Sequence, residues 1–463
     1  MGTLRFALAL AISKLIMLFL SITPLKDSDL GGRIVLKISP DFLERVEKPA
    51  KIVAIMGTNG KDTVANLVAS CVRATEIQVL SNSSQSANEA GIVAALVKGV
   101  SLFGREKYGT AVFQIEEKSI KNLFTWLEPD ILLINNLVRE STEGKGHPEY
   151  PQEILTHYIP AKTKLIINGD DIMACGVAPS NSRKYFGVAG LLDDKKRNTN
   201  LIDDHPLCPK CHNPLAYEYN RYSNLGKAYC PACGYRFPGY DYTGEILNEK
   251  GKSLVVNTET RSESFPILHD TIYDIYNQVA AISVLLEMGV KMMDIKNAMG
   301  DQNILEGRFD VVKVGDITIT SIMCKEENAY VMSRALETIM KDPGDKEVLI
   351  FNNDLEEAEI SSENISWYYD CDFELLSNER VKRIVVYGRR SWDLKLRLLL
   401  AGVPEERISG VKEYDDAAEV LDYFDNDNIY ILYGSKPGRV GKIVTDRIVD
   451  LASAKKGGEI LED

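Results

Sequence analysis

The chain has 463 residues and a formal net charge of −13, with hydrophobic residues at 45% and charged residues at 26%. That length has room for two or three domains with large cores, and the composition is that of a soluble globular protein. The negative balance excludes a general nucleic-acid binder, because phosphate contacts need clustered cations. Four of the eight cysteines sit in one cluster and the rest are scattered, which suits a reducing cytoplasm without structural disulfides.

Residues 4–24 are apolar, interrupted by Arg5 and Lys14 and ended by Pro24. Leu8, Leu10, Ile12, Leu15, Ile16, Leu18 and Phe19 cover much of a helix surface. They predict an amphipathic helix that either packs on the first domain or rests on a membrane surface. No small-residue cleavage site of a signal peptide is evident.

The run Ile52 to Met56 reads as a strand buried on both faces of a parallel sheet. Gly57 and Gly60 then permit a tight turn with inward-pointing N–H groups. From Thr63 onward Val64, Leu67, Val68 and Cys71 recur at helical spacing, with Lys61 at the helix start. A helix N-terminus carrying a lysine is a phosphate site, and a plain βα turn with a surface lysine is the competing reading. The turn is Gly57-Thr58-Asn59-Gly60-Lys61, shorter than the eight-residue G-x-x-x-x-G-K-[ST] form. It resembles the loop of Mur ligases and folylpolyglutamate synthetase, which use ATP to turn a carboxylate into an acyl phosphate that an amine attacks. The next position, usually a hydroxyl residue that helps hold Mg²⁺, is Asp62, followed by Thr63. A carboxylate ligates Mg²⁺, but it also lies close to the polyphosphate and repels it.

Further strands are predicted at Val79, Thr110–Glu117, Asp130–Asn136 and Lys164–Asp171, each separated from the next by a helix-length segment. Alternating strands and helices imply an α/β domain whose ligands sit at the strands' C-terminal ends. Lys61, Glu116, Glu117, Asn135, Asn136, Asn168, Asp170 and Asp171 lie there. Glu116 is the preferred second Mg²⁺ anchor, with capping of the following helix as the alternative. Asn168 and Asp171 are equally suited to turns.

Cys208-Pro-Lys-Cys211 and Cys230-Pro-Ala-Cys233-Gly234 form two C-x-x-C knuckles. This spacing predicts a tetrahedral Cys₄ zinc ribbon, structural because four thiolates leave no open position. It reads as an insertion over 203–242, since sheet-like pattern resumes at Gly244. Past Lys325 a new α/β unit is predicted, with strands at Glu347–Phe351, Arg383–Tyr387 and Asn428–Leu432.

With these pieces in place the chain resembles the MurT family, the ligase-like subunits of the enzyme that amidates lipid II. Gly57 to Lys61, Ala87-Asn88 with Gly91-Ile92, Asn136-Leu-Val-Arg-Glu140 and Tyr273-Asp-Ile-Tyr-Asn277 match its motifs. The resemblance implies a Mur ligase-like P-loop domain with a Cys₄ insertion, and nucleotide contacts from Asn277 and Arg308. It implies ATP, Mg²⁺ on Asp62 and Glu116, structural Zn²⁺, and transition-state stabilisation by Lys61. Asn352-Asn-Asp-Leu-Glu-Glu-Ala-Glu and Ile365-Ser-Trp-Tyr-Tyr-Asp-Cys-Asp-Phe-Glu374 resemble the region that lends an aspartate to the Cys–His pair of a separate glutaminase, GatD. Asp370 is the candidate, with Asp372 in reserve. The implied domains are a lead-in over 1–45, an ATP-binding domain over 46–309 and a partner-contacting domain over 310–463.

Departures cluster at the chemistry. Asp62 replaces a threonine, Gln114 stands where an acid is common, Asp274 replaces an asparagine, Glu140 replaces an aspartate, and Lys325 lacks its usual Asn-Pro. The expectation is an ATP-dependent amidating ligase subunit in a heterodimer acting on a lipid-linked precursor. The alternative is a drifted pseudo-ligase that serves as a binding or regulatory subunit.

Overall fold

The computed structural model describes residues 2–22, 29–139, 149–247, 253–269, 271–300, 309–324, 328–351, 365–388, 390–423, 428–434, 438–456 and 460–462. Those within 1–138, 147–199 and 203–305 form one compact unit, and those within 139–146, 200–202 and 306–463 form a second.

In the first unit β1 (Lys51–Met56), β2 (Val79–Ser81), β3 (Thr110–Gln114), β4 (Ile131–Ile134), β5 (Lys164–Asn168) and β6 (Arg183–Val188) are parallel. β7 (Ala216–Tyr222) and β8 (Leu225–Tyr229) make a separate antiparallel hairpin. β9 (Tyr242–Leu247) rejoins the sheet parallel to β6, and β10 (Ser253–Asn257) and β11 (Ser262–Pro266) extend it antiparallel. The order is β11-β10-β9-β6-β5-β4-β1-β3-β2. β1 therefore sits between β3 and β4 at the point where the winding reverses, and the crevice beyond its C-terminal end is where such sheets take ligands.

The apolar runs are explained by two-sided burial. Ile52, Ala54 and Met56 face one core, shared with the N-terminal helix Gly2–Ile22 and the helix Glu89–Gly99. Val53 and Ile55 face the other, shared with the helices Lys61–Ala74 and Ile272–Glu287. Every second residue changes side, as a pleated strand requires.

The second unit is a seven-stranded sheet of β12 (Phe309–Val314), β13 (Ile317–Met323), β14 (Lys346–Phe351), β15 (Val381–Tyr387), β16 (Ile408–Val411), β17 (Asn428–Tyr433) and β18 (Ile460–Glu462). Its order is β16-β15-β14-β17-β13-β12-β18, parallel from β16 to β13. Val348 and Ile350 face one core and Leu349 and Phe351 the other.

In the first unit the helix Leu30–Ile38 lies against Glu89–Gly99 at backbone contact. A Cβ on Gly32 would come within 1.8 Å of the Ala90 carbonyl oxygen. Gly32→Ala is therefore expected to lower first-unit stability by about 1–3 kcal/mol, as overpacking does. Denaturant unfolding followed by circular dichroism would check this.

Candidate functional site

β1 is rigid because both faces are buried, and its end delivers the glycine loop to the reversal point of the sheet. Gly57 has φ +151° and Gly60 φ +80°, conformations that exclude most side chains. Lys61 opens the helix Lys61–Ala74, is buried, and points its Nζ back to the Gly57 carbonyl at 3.5 Å. The loop is laced to the end of β4. Asn136 Oδ1 accepts from the Asn59 N–H at 2.9 Å, and its Nδ2 donates to the Asn59 carbonyl at 2.8 Å. Asn135 Nδ2 donates to the same carbonyl at 3.0 Å and to Asn277 Oδ1 at 2.8 Å. A Cβ on Gly60 would lie 2.2 Å from Asn277 Oδ1 and 2.8 Å from Asn135 Nδ2. The structure thus brings Gly57, Thr58, Asn59, Gly60, Lys61 and Asn277 together. Asp62 is exposed in the first helical turn and Thr63 is half-buried behind it.

Beside this loop lies a second, at residues 82–88. Asn82 Nδ2 donates to the Gln114 carbonyl at 2.9 Å and Asn82 Oδ1 accepts from the Gln114 N–H at 3.0 Å, latching the loop to β3. Gln85 Oε1, Gln114 Oε1 and Asn135 Oδ1 are buried there without a hydrogen-bond partner. Buried unsatisfied acceptors of this kind suit a site that receives a cation or a donor from a ligand. Ile55 pairs with Gln114, so two residues further on Glu116 emerges beside Gly57. Glu116 makes no side-chain cap bond to the turn that follows it. The departure at Asp274 has a local cause: Thr271 caps the helix Ile272–Glu287, accepting from the Asp274 N–H while its hydroxyl bonds the Asp274 carboxylate at 2.6 Å.

Asn168, Asp170 and Asp171 do not line the site. Asn168 Nδ2 holds the Asn135 carbonyl at 3.0 Å. Asp171 is wholly buried and accepts from the N–H groups of Leu137 at 2.6 Å, Met173 at 2.9 Å and Ala174 at 3.2 Å, and from Asn224 Nδ2 at 2.8 Å. Asp170 takes hydrogen bonds from the hydroxyls of Tyr219 (3.1 Å), Tyr240 and Tyr276. Burial keeps all three phenols well above their ordinary range, so they remain donors. Arg221, on β7, bonds the Tyr276 hydroxyl and closes on Asp194 at 2.7 Å. The sequence gives no local signal for this network.

In the hairpin region Cys208 and Cys233 sulfurs are 3.7 Å apart, Cys211 and Cys230 3.5 Å, and all four lie within 4.8 Å of one another. A tetrahedral thiolate centre with metal–sulfur bonds of about 2.3 Å puts sulfurs roughly 3.8 Å apart. The donor set fits such a metal. The two knuckles fold alike: the His212 N–H returns to the Cys208 carbonyl at 2.9 Å and the Gly234 N–H to Cys230 at 3.0 Å, with positive φ at both. The Asn213 backbone and side-chain N–H groups lower the Cys211 thiol, while its neighbours in the cluster raise Cys233.

In the second unit Asp370 ends the short 3-10 turn Ser366–Asp370 and pairs with Arg139 at 3.4 Å, both about one quarter exposed. Asp372 is buried and accepts from the Leu201 N–H at 2.8 Å and Asn200 Nδ2 at 2.7 Å. It anchors the segment Asn200–Ile202, and Asp370 is the more exposed of the two acids. Arg308, Glu140, Lys325 and the motif starting at Asn352 lie outside the described residues.

The MurT ligase C-terminal family matches residues 323–435. The subunit MurT of lipid II isoglutaminyl synthase (glutamine-hydrolysing) from Staphylococcus aureus is 29% identical over 402 residues, covering 86% of this chain and 88% of that one. Among solved structures, a pseudomurein peptide ligase type C from Methanothermus fervidus superposes with TM-score 0.63 at 20% identity, over 88% of this chain and 81% of that one. MurF from Acinetobacter baumannii does so with TM-score 0.62 at 15% identity, over 90% and 80%. The fold is that of the Mur ligases, and the glycine loop sits at the reversal point of its sheet. By sequence the chain is similar to MurT over most of its length, a divergent likeness.

Burial pushes the Asp171 carboxyl up to about 6, and its four N–H donors hold it from rising further. The folded state therefore binds this proton more tightly than the unfolded chain, where the ordinary value is 3.8. Its contribution to stability is full below about pH 4 and is lost as pH rises through 6. Carbon-13 NMR of the Asp171 carboxyl should show a midpoint near 6 rather than near 4.

Proposed function

We propose that this chain is the ligase subunit of a two-subunit amidating enzyme acting on the D-glutamate carboxyl of lipid II, at the cytoplasmic face of the membrane. The carrying observation is the glycine loop, clasped by Asn135 and Asn277 at the reversal point of the sheet, in a relative of MurT. The substrate carboxylate oxygen attacks the γ-phosphorus of ATP and ADP leaves, forming an acyl phosphate. Ammonia attacks the acyl carbon, inorganic phosphate leaves and nitrogen loses a proton. The glycine loop Gly57–Lys61 and the helix start that it delivers hold the phosphates. Lys61 stabilises charge on the transferred phosphoryl. Asp62 and Glu116 would hold Mg²⁺, and Thr63, Asn277 and Arg308 would contact the nucleotide. Zn²⁺ on Cys208, Cys211, Cys230 and Cys233 is structural. The functional division is a lead-in over 1–45, the ATP-binding domain over 46–309 with its insertion at 203–242, and a partner domain over 310–463.

Ammonia comes from a GatD-like glutamine amidotransferase partner whose Cys–His pair Asp370 completes, orienting the histidine and stabilising its imidazolium form. A docking surface supports this. Trp392, Leu396, Leu399 and Leu400 form an exposed stripe at helical spacing on the helix Ser391–Leu400. That helix is tied to the Asp370 turn by buried Arg397, which donates to the Tyr368 carbonyl at 3.0 Å and the Cys371 carbonyl at 2.9 Å.

A second reading, a drifted subunit that binds nucleotide or partner without phosphoryl transfer, is favoured by Asp62, whose charge sits at the phosphate end of the helix. Calorimetric titration with a non-hydrolysable ATP analogue and Mg²⁺, followed by an ADP-release assay with lipid II and ammonium, separates the two. Mg²⁺-dependent binding and turnover, with Lys61→Ala at least ~100-fold slower, support the ligase. Binding absent from the wild type and restored by Asp62→Thr selects the drifted subunit.

For the complex, Asp370→Asn should cut glutaminase turnover by about 10²–10⁴-fold without separating the subunits. Trp392→Glu should separate them in size-exclusion chromatography, since a charge at a buried interface centre is costly.

A further inference from the structure

The helix Gly2–Ile22 has two faces that the structure separates cleanly. Phe6, Ala9, Leu10 and Ser13 are buried against the first unit. The Ser13 hydroxyl donates to the Gly31 carbonyl at 3.0 Å, and the Phe6 ring stacks on Phe42 at 5.4 Å. Both cations of the helix serve this inner side. Arg5 Nη2 donates to the Ile38 carbonyl at 2.9 Å, and Lys14 Nζ to the carbonyls of Val97 at 2.6 Å and Val100 at 2.8 Å. They cap the C-terminal ends of the two helices beneath, where cations are favoured.

The outer face is apolar from end to end. Leu4, Leu8, Leu15, Leu18, Phe19 and Ile22 are each more than half exposed and recur at helical spacing along about 30 Å, and the helix has no acidic residue in its first turn. A turn alongside adds Leu102 at 65% and Phe103 at 88% exposure. The turn is fixed beside the start of the helix, since a Cβ on Gly104 would come within 2.8 Å of the Phe6 ring. Exposed patches of this size mark interaction sites.

We propose that this face lies on the surface of a bilayer containing anionic lipid, the helix in the plane of the interface and Phe103 inserted beside it. Charge identifies the occupant. The chain as a whole is at −13, yet the exposed cations Lys98, Arg105 and Lys107 on the segment under the helix outnumber its two carboxylates, Glu106 and the Glu47 that accepts from the Glu106 N–H. Lys107 lies close enough to Lys14 that, after burial, it is the second cause lowering the Lys14 ammonium. A cationic rim around an apolar stripe complements anionic headgroups, whereas across a two-fold axis it would face itself. The helix is long and apolar enough to span, but Phe6, Ala9, Leu10 and Ser13 are packed in the chain's own core, which favours an orientation along the surface. The inference does not depend on the ligase reading, although it would bring a lipid-carried substrate within reach.

The test is co-sedimentation of the full chain with phosphatidylcholine vesicles with and without phosphatidylglycerol, alongside size-exclusion chromatography. Binding to the phosphatidylglycerol vesicles, weakened by salt and reduced more than tenfold by Leu8→Asp/Leu15→Asp, is expected. Phe103→Ser, in an exposed turn, should reduce it severalfold with the melting temperature unchanged, which separates lost docking from lost folding. Lys98→Glu/Arg105→Glu should remove the lipid preference. No binding, binding indifferent to these substitutions, or a dimer that Leu15→Asp splits would overturn the proposal.

Discussion

One side-chain amide closes the first unit's crevice. Asn135 Nδ2 bonds both the Asn59 carbonyl of the glycine loop and Asn277 Oδ1, drawing together β4, the loop and the helix Ile272–Glu287. Gly60 is required by the same contact, since any Cβ there would overlap both asparagines. A loop with positive-φ glycines would otherwise be free to unwind. Here the loop's shape is fixed before any anion arrives, with the Thr58 and Asn59 N–H groups already bonded to Asn136, and a preformed site costs little reorganisation on binding. Lys61 inherits its placement from that clasp, being the next residue along.

How much of this was legible follows from sequence distance. The parallel core, the glycine loop and the Cys₄ cluster were readable because their determinants are local: apolar runs, a five-residue turn, paired knuckles. The N-terminal helix was legible in position but not in allegiance, and the structure packs one of its faces on the first unit and leaves the other open. Asp170 was misread as a ligand group because Tyr219, Tyr240 and Tyr276 lie 49, 70 and 106 positions away. Asp171 is similar, since its cap bonds are local but Asn224 comes from 53 positions downstream. Asp274 carried a readable signal that was passed over. Thr271-x-x-Asp274 is a capping pattern, and the helix it starts is the one that presents Asn277. β6, β10 and β11 mix polar with apolar residues and gave no clear run to recognise.

In the second unit two neighbouring carboxylates have opposite fates. Asp372 spends its oxygens on the Asn200–Leu201 backbone and side chain, which fixes a passing segment to the core. Asp370, two residues earlier, pairs with the partly exposed Arg139 and keeps about a quarter of its side chain exposed. The intervening Cys371 is fully buried, and Arg397 holds the Tyr368 carbonyl before Asp370 and the Cys371 carbonyl between the two acids, which pins the turn that separates them.

The cysteine-bearing hairpin is inserted between β6 and β9, yet it is not an appendage. Arg221 on β7 reaches the Val188 and Ala189 carbonyls at the end of β6 and the hydroxyl of Tyr276, next to Asn277, while Tyr219 and Tyr240 enclose Asp170. Removing residues 203–242 would strip a fully buried carboxylate of its countercharge and of two of its three phenolic donors, leaving an uncompensated charge inside the sheet. The insertion is therefore not a module that can be grafted or excised by joining its ends. To move it between related scaffolds, Asp170, Asp194 and Tyr276 would have to travel with it, so the unit of inheritance is the hairpin together with the patch of core that it neutralises.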